Sequence, residues 1–392
     1  MITNTENNTF IPTKMVSLFS GIGGFELGFQ TCGIPTALTC EIEPVAQHVL
    51  KTNFPNTELV SDVCELTSLP EGTDVLCAGF PCQDLSPIGC KVGMAGTRSS
   101  LVKEVFRLLS STKVEWVIFE NVPNMLHLNK GETIRTIVEE LEALGYNWAY
   151  RTIDSLAFVP QRRRRVYIVA SLHCDPRNVI LSGNSSKKYG DVSSETFDDP
   201  CGFYWTEGKY ALGLYKNAIP TLKCGSTIGI SSPPAIAFPD GTVASPDIRD
   251  AERFQGFPAD WTKPAEEVAK ASSRWRLVGN AITVDIASWI AHKMLTPEKY
   301  DGNGDKELKK TDKWPGAAWG INGKRYASNV TLYPVERAEC SLLEFLQYPC
   351  KPLSYKAAKG FEQRLITGTV KSPQFFKNAI HEYVKMRGDE NG

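Results

Sequence analysis

The chain has 392 residues, 42% hydrophobic and 22% charged, which is the balance of an ordinary globular protein with room for two or three domains. Its formal net charge of −1 does not by itself indicate a nucleic-acid-binding protein. The N-terminus lacks the layout of a signal peptide, and no apolar run reaches membrane-spanning length. Eleven cysteines without a Cys-x-x-Cys pair argue against a disulfide framework and a zinc ribbon. We therefore expect a protein of the cytosol, with no membrane partner and no metal site.

The first 170 residues alternate short apolar runs with segments of helical period, which predicts an α/β fold with a largely parallel sheet covered by helices. Predicted strands span residues 15–19, 36–41, 75–78, 116–120 and 166–170, and predicted helices span 43–53, 101–109 and 132–144. Polar residues 182–201 indicate a linker, and 202–260 are typical of short strands and turns. A helix over 284–295, a second linker over 296–312 and an aromatic-rich tail complete the chain.

The first predicted strand leads into a glycine-rich turn and the start of a helix. Gly21 and Gly23 allow a ligand close to the backbone, and a helix N-terminus attracts negative charge. Glu26 stands where a dinucleotide fingerprint has its third glycine, which disfavours NAD. Glu41 ends the second strand, where an acid typically binds ribose hydroxyls, and Asp62 follows another short strand. Alone, these residues fit packing glycines and surface acids equally well.

Cys82 follows the predicted strand 75–78, in a loop that also contains glycine and proline. Ligands of open α/β sheets bind outside the carboxyl ends of the strands, so a thiol there is placed to act as a nucleophile. On its own, a buried structural cysteine is the commoner case. Glu120 ends another predicted strand. Arg163 and Arg165 would point to the same side if their segment is extended.

Together these segments resemble the DNA cytosine-5 methyltransferase family of bacterial restriction–modification enzymes, in order along about the first 295 residues. The resemblance rests on residues 19–24, 41, 62–63, 79–86, 120–122, 161–167, 249–258 and 279–281. It implies a Rossmann-like S-adenosylmethionine-dependent methyltransferase fold, with a mixed, mostly parallel sheet and a smaller target-recognition domain. The implied domains are a discontinuous catalytic and cofactor-binding domain (1–170 plus 271–295), a target-recognition domain (171–270) and a C-terminal extension (296–392). We expect this extension to enlarge the DNA-binding surface.

The family's activity is methylation of cytosine C5 within a short specific duplex DNA sequence. The resemblance makes Cys82 the nucleophile that adds to C6, because a thiolate is nucleophilic near neutral pH and can leave again. Glu120 would donate or share a proton at N3, Arg165 would contact the base, and Arg163 would hold the catalytic loop or nearby backbone. Arg164 stands where the family usually has glutamate, so a salt bridge made by that glutamate is not expected here.

The resemblance also assigns the residues that bind S-adenosylmethionine. Phe19 would lie against the adenine, with Gly21 and Gly23 along the methionine part and Glu41 on the ribose. The remaining cofactor residues are Asp62 and Val63 at the adenine edge, Leu101 and Asn280 at the amino-acid end, and Ile42, which replaces the aromatic residue that some relatives stack on the adenine.

The expected partner is duplex DNA with a flipped target cytosine, since C6 is out of reach inside the helix. Candidate DNA-binding residues are Gln83, Ser86 and Arg98 in a glycine-containing loop of lid-like length, and Lys223, Cys224, Gly225 and Ser226 in a candidate base-reading loop. The resemblance further implies the bacterial cytosol and a cognate restriction endonuclease acting separately.

Three other functions fit parts of the sequence. An RNA (tRNA) cytosine-5 methyltransferase would use the same fold. A catalytically silent methyltransferase-like DNA-binding protein is disfavoured by the joint presence of Cys82, Glu120 and Arg165. An NAD-dependent oxidoreductase is disfavoured by Glu26.

Overall fold

The structure is a computed structural model that describes residues 3–4, 9–81, 101–192, 196–225, 233–338 and 340–389. The chain forms two compact units. The first comprises Met1–Asp154, Arg164–Ser186 and Val284–Val335, and the second comprises Ser155–Arg163, Lys187–Thr283 and Glu336–Gly392. These boundaries differ from the predicted domains, because the segment after residue 295 is shared between both units. The functional division into catalytic and recognition domains stays a prediction.

The strands are, in chain order, β1 (Thr3–Asn4), β2 (Thr9–Phe10), β3 (Met15–Leu18), β4 (Thr36–Cys40), β5 (Glu58–Val60), β6 (Val75–Ala78), β7 (Trp116–Asn121), β8 (Asn147–Asp154), β9 (Arg164–Ser171), β10 (Cys201–Phe203), β11 (Tyr215–Lys216), β12 (Ala235–Ala237), β13 (Val243–Ser245), β14 (Lys306–Glu307), β15 (Ala317–Ile321), β16 (Lys324–Ala327) and β17 (Lys351–Pro352). The helices are α1 (Gly24–Gln30), α2 (Pro44–Asn53), α3 (Leu101–Ser111), α4 (Glu132–Ala143), α5 (Arg177–Ile180), α6 (Ile248–Arg253), α7 (Ala265–Val268), α8 (Ser273–Asn280), α9 (Val284–Leu295), α10 (Leu342–Phe345), α11 (Tyr355–Thr367) and α12 (Gln374–Asp389). Single 3₁₀ turns cover Val63–Glu65, Pro123–Leu126, Leu128–Gly131 and Ser155–Ala157.

The first unit is built on a ten-stranded sheet in the order β14-β16-β15-β8-β9-β7-β6-β3-β4-β5. Strands β3 to β7 run parallel, while β9, β8 and the strands from the tail pair antiparallel. The predicted α/β fold with a mixed sheet is confirmed, and the elements predicted before residue 170 are present within two residues of their expected bounds. Strands β8, β15 and β16 were not predicted.

Helices cover both faces of this sheet. One core contains side chains of the parallel strands and of α3 and α4, with Leu18, Leu76, Val105 and Ile137 fully buried. Helices α1 and α9 approach each other so closely that a Cβ on Gly28 would lie 2.6 Å from the Cβ of Ala287. These layers fix the carboxyl ends of the parallel strands, where the candidate site residues lie.

The second unit contains a five-stranded antiparallel sheet in the order β11-β10-β12-β13-β17. Its edge strand β17 comes from the C-terminal tail, and α11 and α12 supply Phe361, Phe376 and Tyr383 to a core around Phe203. The tail is therefore an integral part of this unit.

Within the described ranges, no helix combines the length and the apolar character needed to cross a membrane.

Candidate active site

The glycine-rich turn between β3 and α1 is held in an unusual backbone conformation. Phe19, Gly21 and Gly23 all have positive φ angles, of 57°, 58° and 91°. The backbone N–H of Gly23 donates to the carbonyl of Ser20 at 3.0 Å. A Cβ on Gly23 would lie 2.4 Å from Cε2 of Phe54, whereas nothing lies within 4 Å of the corresponding position at Gly21. The turn is thus closely packed against Phe54 at Gly23 and has open space at Gly21.

Glu41 lies beside this turn, as the sequence predicts. One carboxylate oxygen, Oε2, accepts the backbone N–H of Gly21 at 2.8 Å, and Oε1 accepts that of Glu43 at 2.8 Å. Burial raises the pKa of Glu41, partly offset by these two hydrogen bonds. The neighbouring Ile42 is 69% exposed, which is high for a large apolar side chain. An acidic acceptor, an open glycine and an exposed apolar surface therefore adjoin one another.

The other predicted cofactor residues of the first unit lie near the ends of β5 and α3. Asp62 Oδ1 accepts the backbone N–H of Cys64 at 2.9 Å and so caps a 3₁₀ turn. The side chain of Val63 is buried in the core, so only its backbone is left for a ligand. Leu101 is the first residue of α3 and is partly buried. Asn280 belongs to the second unit, where it is the exposed last residue of α8.

Glu120 and Arg165 form an ion pair at the end of the sheet. They lie on the antiparallel strands β7 and β9, and Arg165 Nε is 2.9 Å from Glu120 Oε1, with side chains only 15% and 10% exposed. Oε2 of Glu120 lies 3.5 Å from where a Cβ on Gly79 would be. Asn121 Nδ2 donates to the carbonyl of Phe80 at 2.9 Å, which fastens the segment after β6 to the end of β7.

Cys82 comes two positions after Phe80 in the sequence and lies outside the described residues. The same holds for four of the predicted DNA-binding residues, Gln83, Ser86, Arg98 and Ser226.

Arg164, which replaces the family's usual glutamate, has a partner that sequence reasoning missed. Its Nε lies 3.0 Å from Oδ2 of Asp154, whose side chain is fully buried. The two residues are directly paired across β8 and β9. Locating this ion pair needed the strand register, because ten positions along the chain separate the two residues.

Arg163 lies just before β9 and makes its contacts within the second unit. Its buried guanidinium donates to the carbonyls of Leu222, Gly279 and Ala281 at 3.3, 3.2 and 2.6 Å. Gln255, which was not predicted as a site residue, donates to the carbonyls of Val278 and Ala281 at 3.0 and 3.3 Å. Both side chains hold the backbone that flanks Asn280.

The described part of the candidate base-reading loop ends at Gly225. Lys223 forms an ion pair with Glu207. The backbone of this loop also lies against α8, since a Cβ on Gly279 would be 2.4 Å from the carbonyl carbon of Lys223. Cys224 is exposed, and Gly225 has open space around its Cα. Three of the four predicted base-reading residues thus lie on one partly exposed loop.

Among the described residues, no cluster of three or more His, Cys, Asp or Glu side chains is arranged to hold a metal ion.

Comparisons with known proteins bear on both the sequence and the fold. Residues 13–210 match the profile of the C-5 cytosine-specific DNA methylase family. The chain is 44% identical to type II methyltransferase M2.BsuMI of Bacillus subtilis, over 89% of this chain and 92% of that protein. It is 29% identical to type II methyltransferase M.MspI of Moraxella sp., over 72% and 70% of the two chains. The structure of S. pombe Dnmt2 methyltransferase superimposes with a TM-score of 0.54 at 17% identity, over 72% of this chain and 98% of that one, which supports the fold alone.

Proposed function

Because the chain belongs to the C-5 cytosine-specific DNA methylase family, we propose that it methylates C5 of cytosine within a short specific duplex DNA sequence through a covalent adduct of Cys82. It is a DNA cytosine-5 methyltransferase of the type II restriction–modification kind. The proposal for its mechanism depends chiefly on the Glu120–Arg165 ion pair, which lies beside Gly79, three positions before Cys82 in the sequence.

Covalent activation explains why this reaction needs a cysteine. The C5 carbon of cytosine is a poor nucleophile, and addition of the Cys82 thiolate to C6 gives it enamine character. When bound, S-adenosylmethionine, the methyl donor of this family, supplies an electrophilic methyl group to C5. Loss of the C5 proton and of the Cys82 sulfur from C6 then restores the ring double bond and regenerates the thiolate.

Glu120 would stabilise the adduct at N3, where negative charge develops as sulfur adds to C6. Arg165 holds Oε1 of Glu120, which leaves Oε2 on the Gly79 side for the edge of the base. A carboxyl fixed in this way can hold or share the N3 proton without reorganising during the reaction. We further propose that Arg165 contacts the base, and that Arg163 positions nearby backbone through its three carbonyl acceptors.

The residues around the β3–α1 turn fit S-adenosylmethionine. The open position at Gly21 admits a ligand next to the backbone, and the partly buried carboxylate of Glu41 provides acceptors for ribose hydroxyls. The exposed side chain of Ile42 would cover the adenine, and the carboxylate of Asp62 would accept its amino group. The roles of Phe19, Gly23, Val63, Leu101 and Asn280 stay as the resemblance assigns them.

The proposed substrate is duplex DNA with its target cytosine flipped out, because C6 cannot be attacked within the stacked helix. Lys223, Cys224 and Gly225 are the described residues that we assign to DNA contact. We also propose that the protein acts in the bacterial cytosol, and that a separate cognate endonuclease cleaves the same sequence when it is unmethylated.

Substitution of the nucleophile tests the proposal. Cys82→Ser should abolish transfer of radiolabelled methyl groups to duplex DNA while leaving the affinities for S-adenosylmethionine and DNA nearly intact. Cys340→Ser removes a thiol of the second unit outside the proposed site and should stay active. Full activity of Cys82→Ser would mean that the nucleophile is wrongly assigned. Methyl acceptance by tRNA but not by duplex DNA would select the RNA methyltransferase instead.

A further inference from the structure

Lys223 is the only basic residue in the sequence of the candidate base-reading loop, residues 221–226, and it has two partners within its own unit. Its ammonium forms an ion pair with the carboxylate of Glu207 and lies 3.7 Å from the centre of the Tyr204 ring. The side chains of Lys223 and Glu207 are 38% and 28% exposed, so the pair is open to solvent on one side. A larger anion can therefore reach the ammonium without any core residue moving.

The aromatic side of this arrangement is rigid. The hydroxyl of Tyr204 donates to the carbonyl of Thr221 at 2.9 Å, which ties the ring to the loop that contains Lys223. A Cβ on Gly213 would lie 2.5 Å from the ring, so Tyr204 is also closely packed against Gly213. The ring would keep its place under the ammonium if Glu207 were displaced.

The carboxylate side is positioned by the C-terminal tail. Arg364 of α11 donates from Nε to the carbonyl of Glu207 at 2.8 Å and from Nη2 to that of Trp205 at 2.7 Å. The turn also lies directly on α11, since a Cβ on Gly208 would be 2.9 Å from the ring of Phe361. These contacts hold the backbone of the turn, while the Glu207 side chain pairs with Lys223.

We propose that Glu207 occupies, in the free protein, the position on Lys223 that a DNA phosphate takes in the complex. The phosphate would displace the Glu207 carboxylate from Lys223 when DNA binds. Partly exposed Lys–Glu pairs are weak, so the exchange costs little. A DNA phosphate carries a full negative charge, and its binding to lysine releases counterions, which offsets the lost ion pair. The Tyr204 ring stays in contact with the ammonium in both states. Lysine, a compact point charge, suits a phosphate better than a base edge. The inference rests on the proposed function, because it takes DNA as the partner.

This exchange would weaken binding to every DNA sequence by the same factor. It would therefore lower the affinity for DNA in general and leave the ratio of affinities between sequences unchanged. It also gives α11 a role in DNA binding without a DNA contact of its own, since Arg364 sets the position of Glu207.

A double-mutant cycle tests the inference, with affinity for a short non-cognate duplex measured by fluorescence anisotropy over a range of salt concentrations. Glu207→Gln should tighten binding roughly two- to fivefold, the worth of an exposed ion pair. Lys223→Gln should weaken binding and reduce the salt slope by about one. Adding Glu207→Gln to Lys223→Gln should then have no effect, because the cation that Glu207 neutralises is gone. Glu382→Gln removes the same charge from the exposed surface of α12 and should leave the affinity unchanged.

Two results would overturn the inference. Glu207→Gln could leave the affinity and salt slope of the wild type unaltered, or it could tighten binding equally in the Lys223→Gln background. The latter would show that Glu207 acts only through the overall charge. A wild-type protein that binds no duplex DNA would instead contradict the proposed function, so the two failures are distinguishable.

Discussion

Glu26 is a buried carboxyl group whose ionisation should set the pH dependence of stability. It lies in the first turn of α1 and has no exposed surface. Burial raises the pKa of Glu26 from 4.5 to about 7, against the opposing effect of its own backbone N–H and of the nearby hydroxyls of Ser20 and Ser17. The unfolded chain exposes the group to water, so its pKa there is the ordinary one. Glu26→Gln replaces the carboxyl with a neutral group of nearly the same shape.

The sign of the effect follows from proton binding. Between pH 4.5 and about 7 the folded protein keeps a proton on Glu26 that the unfolded chain has released. The stability that the protonated group contributes is complete below pH 4.5 and is lost as the pH rises through about 7. At roughly 1.4 kcal/mol for each pH unit, this window amounts to about 3 kcal/mol. Gln does not ionise, so the Glu26→Gln protein does not lose this stability as the pH rises. Its free energy of unfolding should match that of the wild type near pH 4.5 and exceed it by about 3 kcal/mol above pH 7.

Urea denaturation followed by far-UV circular dichroism at several pH values would measure this difference. Glu65→Gln removes a carboxylate from the exposed surface of the same unit and should leave the pH dependence of the wild type unchanged. If Glu26→Gln lowers the free energy of unfolding equally at every pH, Glu26 is ionised in the folded protein and the nearby backbone N–H and hydroxyl groups outweigh burial. That result would refute the reasoning.

Three further substitutions test individual contacts. Glu120→Gln should lower single-turnover methyl transfer about 10²- to 10⁴-fold, and a loss below about tenfold would show that it is not the acid at N3. Gly23→Ala should reduce the free energy of unfolding by about 1–3 kcal/mol more than Gly33→Ala. Both glycines have positive φ, but a new Cβ clashes only at Gly23. Equal losses in urea denaturation would contradict this. The buried guanidinium of Arg151 donates to two loop carbonyls at 2.8 Å. Arg151→Met should reduce the free energy of unfolding by about 1–3 kcal/mol for each carbonyl left without a donor. An unchanged urea midpoint would show that other donors replace the guanidinium.

The sequence predicts the parallel half of the main sheet well because each buried strand is a short apolar run between glycine, proline or polar residues. The antiparallel half carries a weaker local signal. Strand β8 contains a fully buried arginine, Arg151, whose guanidinium is satisfied by loop carbonyls from distant parts of the chain. Strand β15 pairs with β8 from a tail far along the sequence, and a pairing over that distance leaves no local pattern to read.

In the candidate site, too, some features have a local sequence signal and others depend on contacts between distant parts of the chain. The positions of Glu41 and Glu120 at the carboxyl ends of β4 and β7 could be predicted from the apolar runs before them, and their roles in the site stay predictions. Their surroundings depend on register and tertiary contacts. Predicting the Glu120–Arg165 ion pair requires the register between β7 and β9. Predicting the Arg164–Asp154 ion pair requires the register between β8 and β9. The C-terminal extension was expected to enlarge the DNA-binding surface, yet its residue Trp314 is buried in the core of the first unit.

The most direct test of the central claim is bisulfite sequencing of plasmid DNA from a host that lacks its own cytosine methylases and expresses this protein. The account predicts complete protection of cytosines at one short sequence, and no protection when Cys82→Ser is expressed at the same level. Unmodified plasmid from cells whose purified protein binds S-adenosylmethionine would contradict methylation of duplex DNA. Protection that persists in Cys82→Ser would contradict the covalent mechanism.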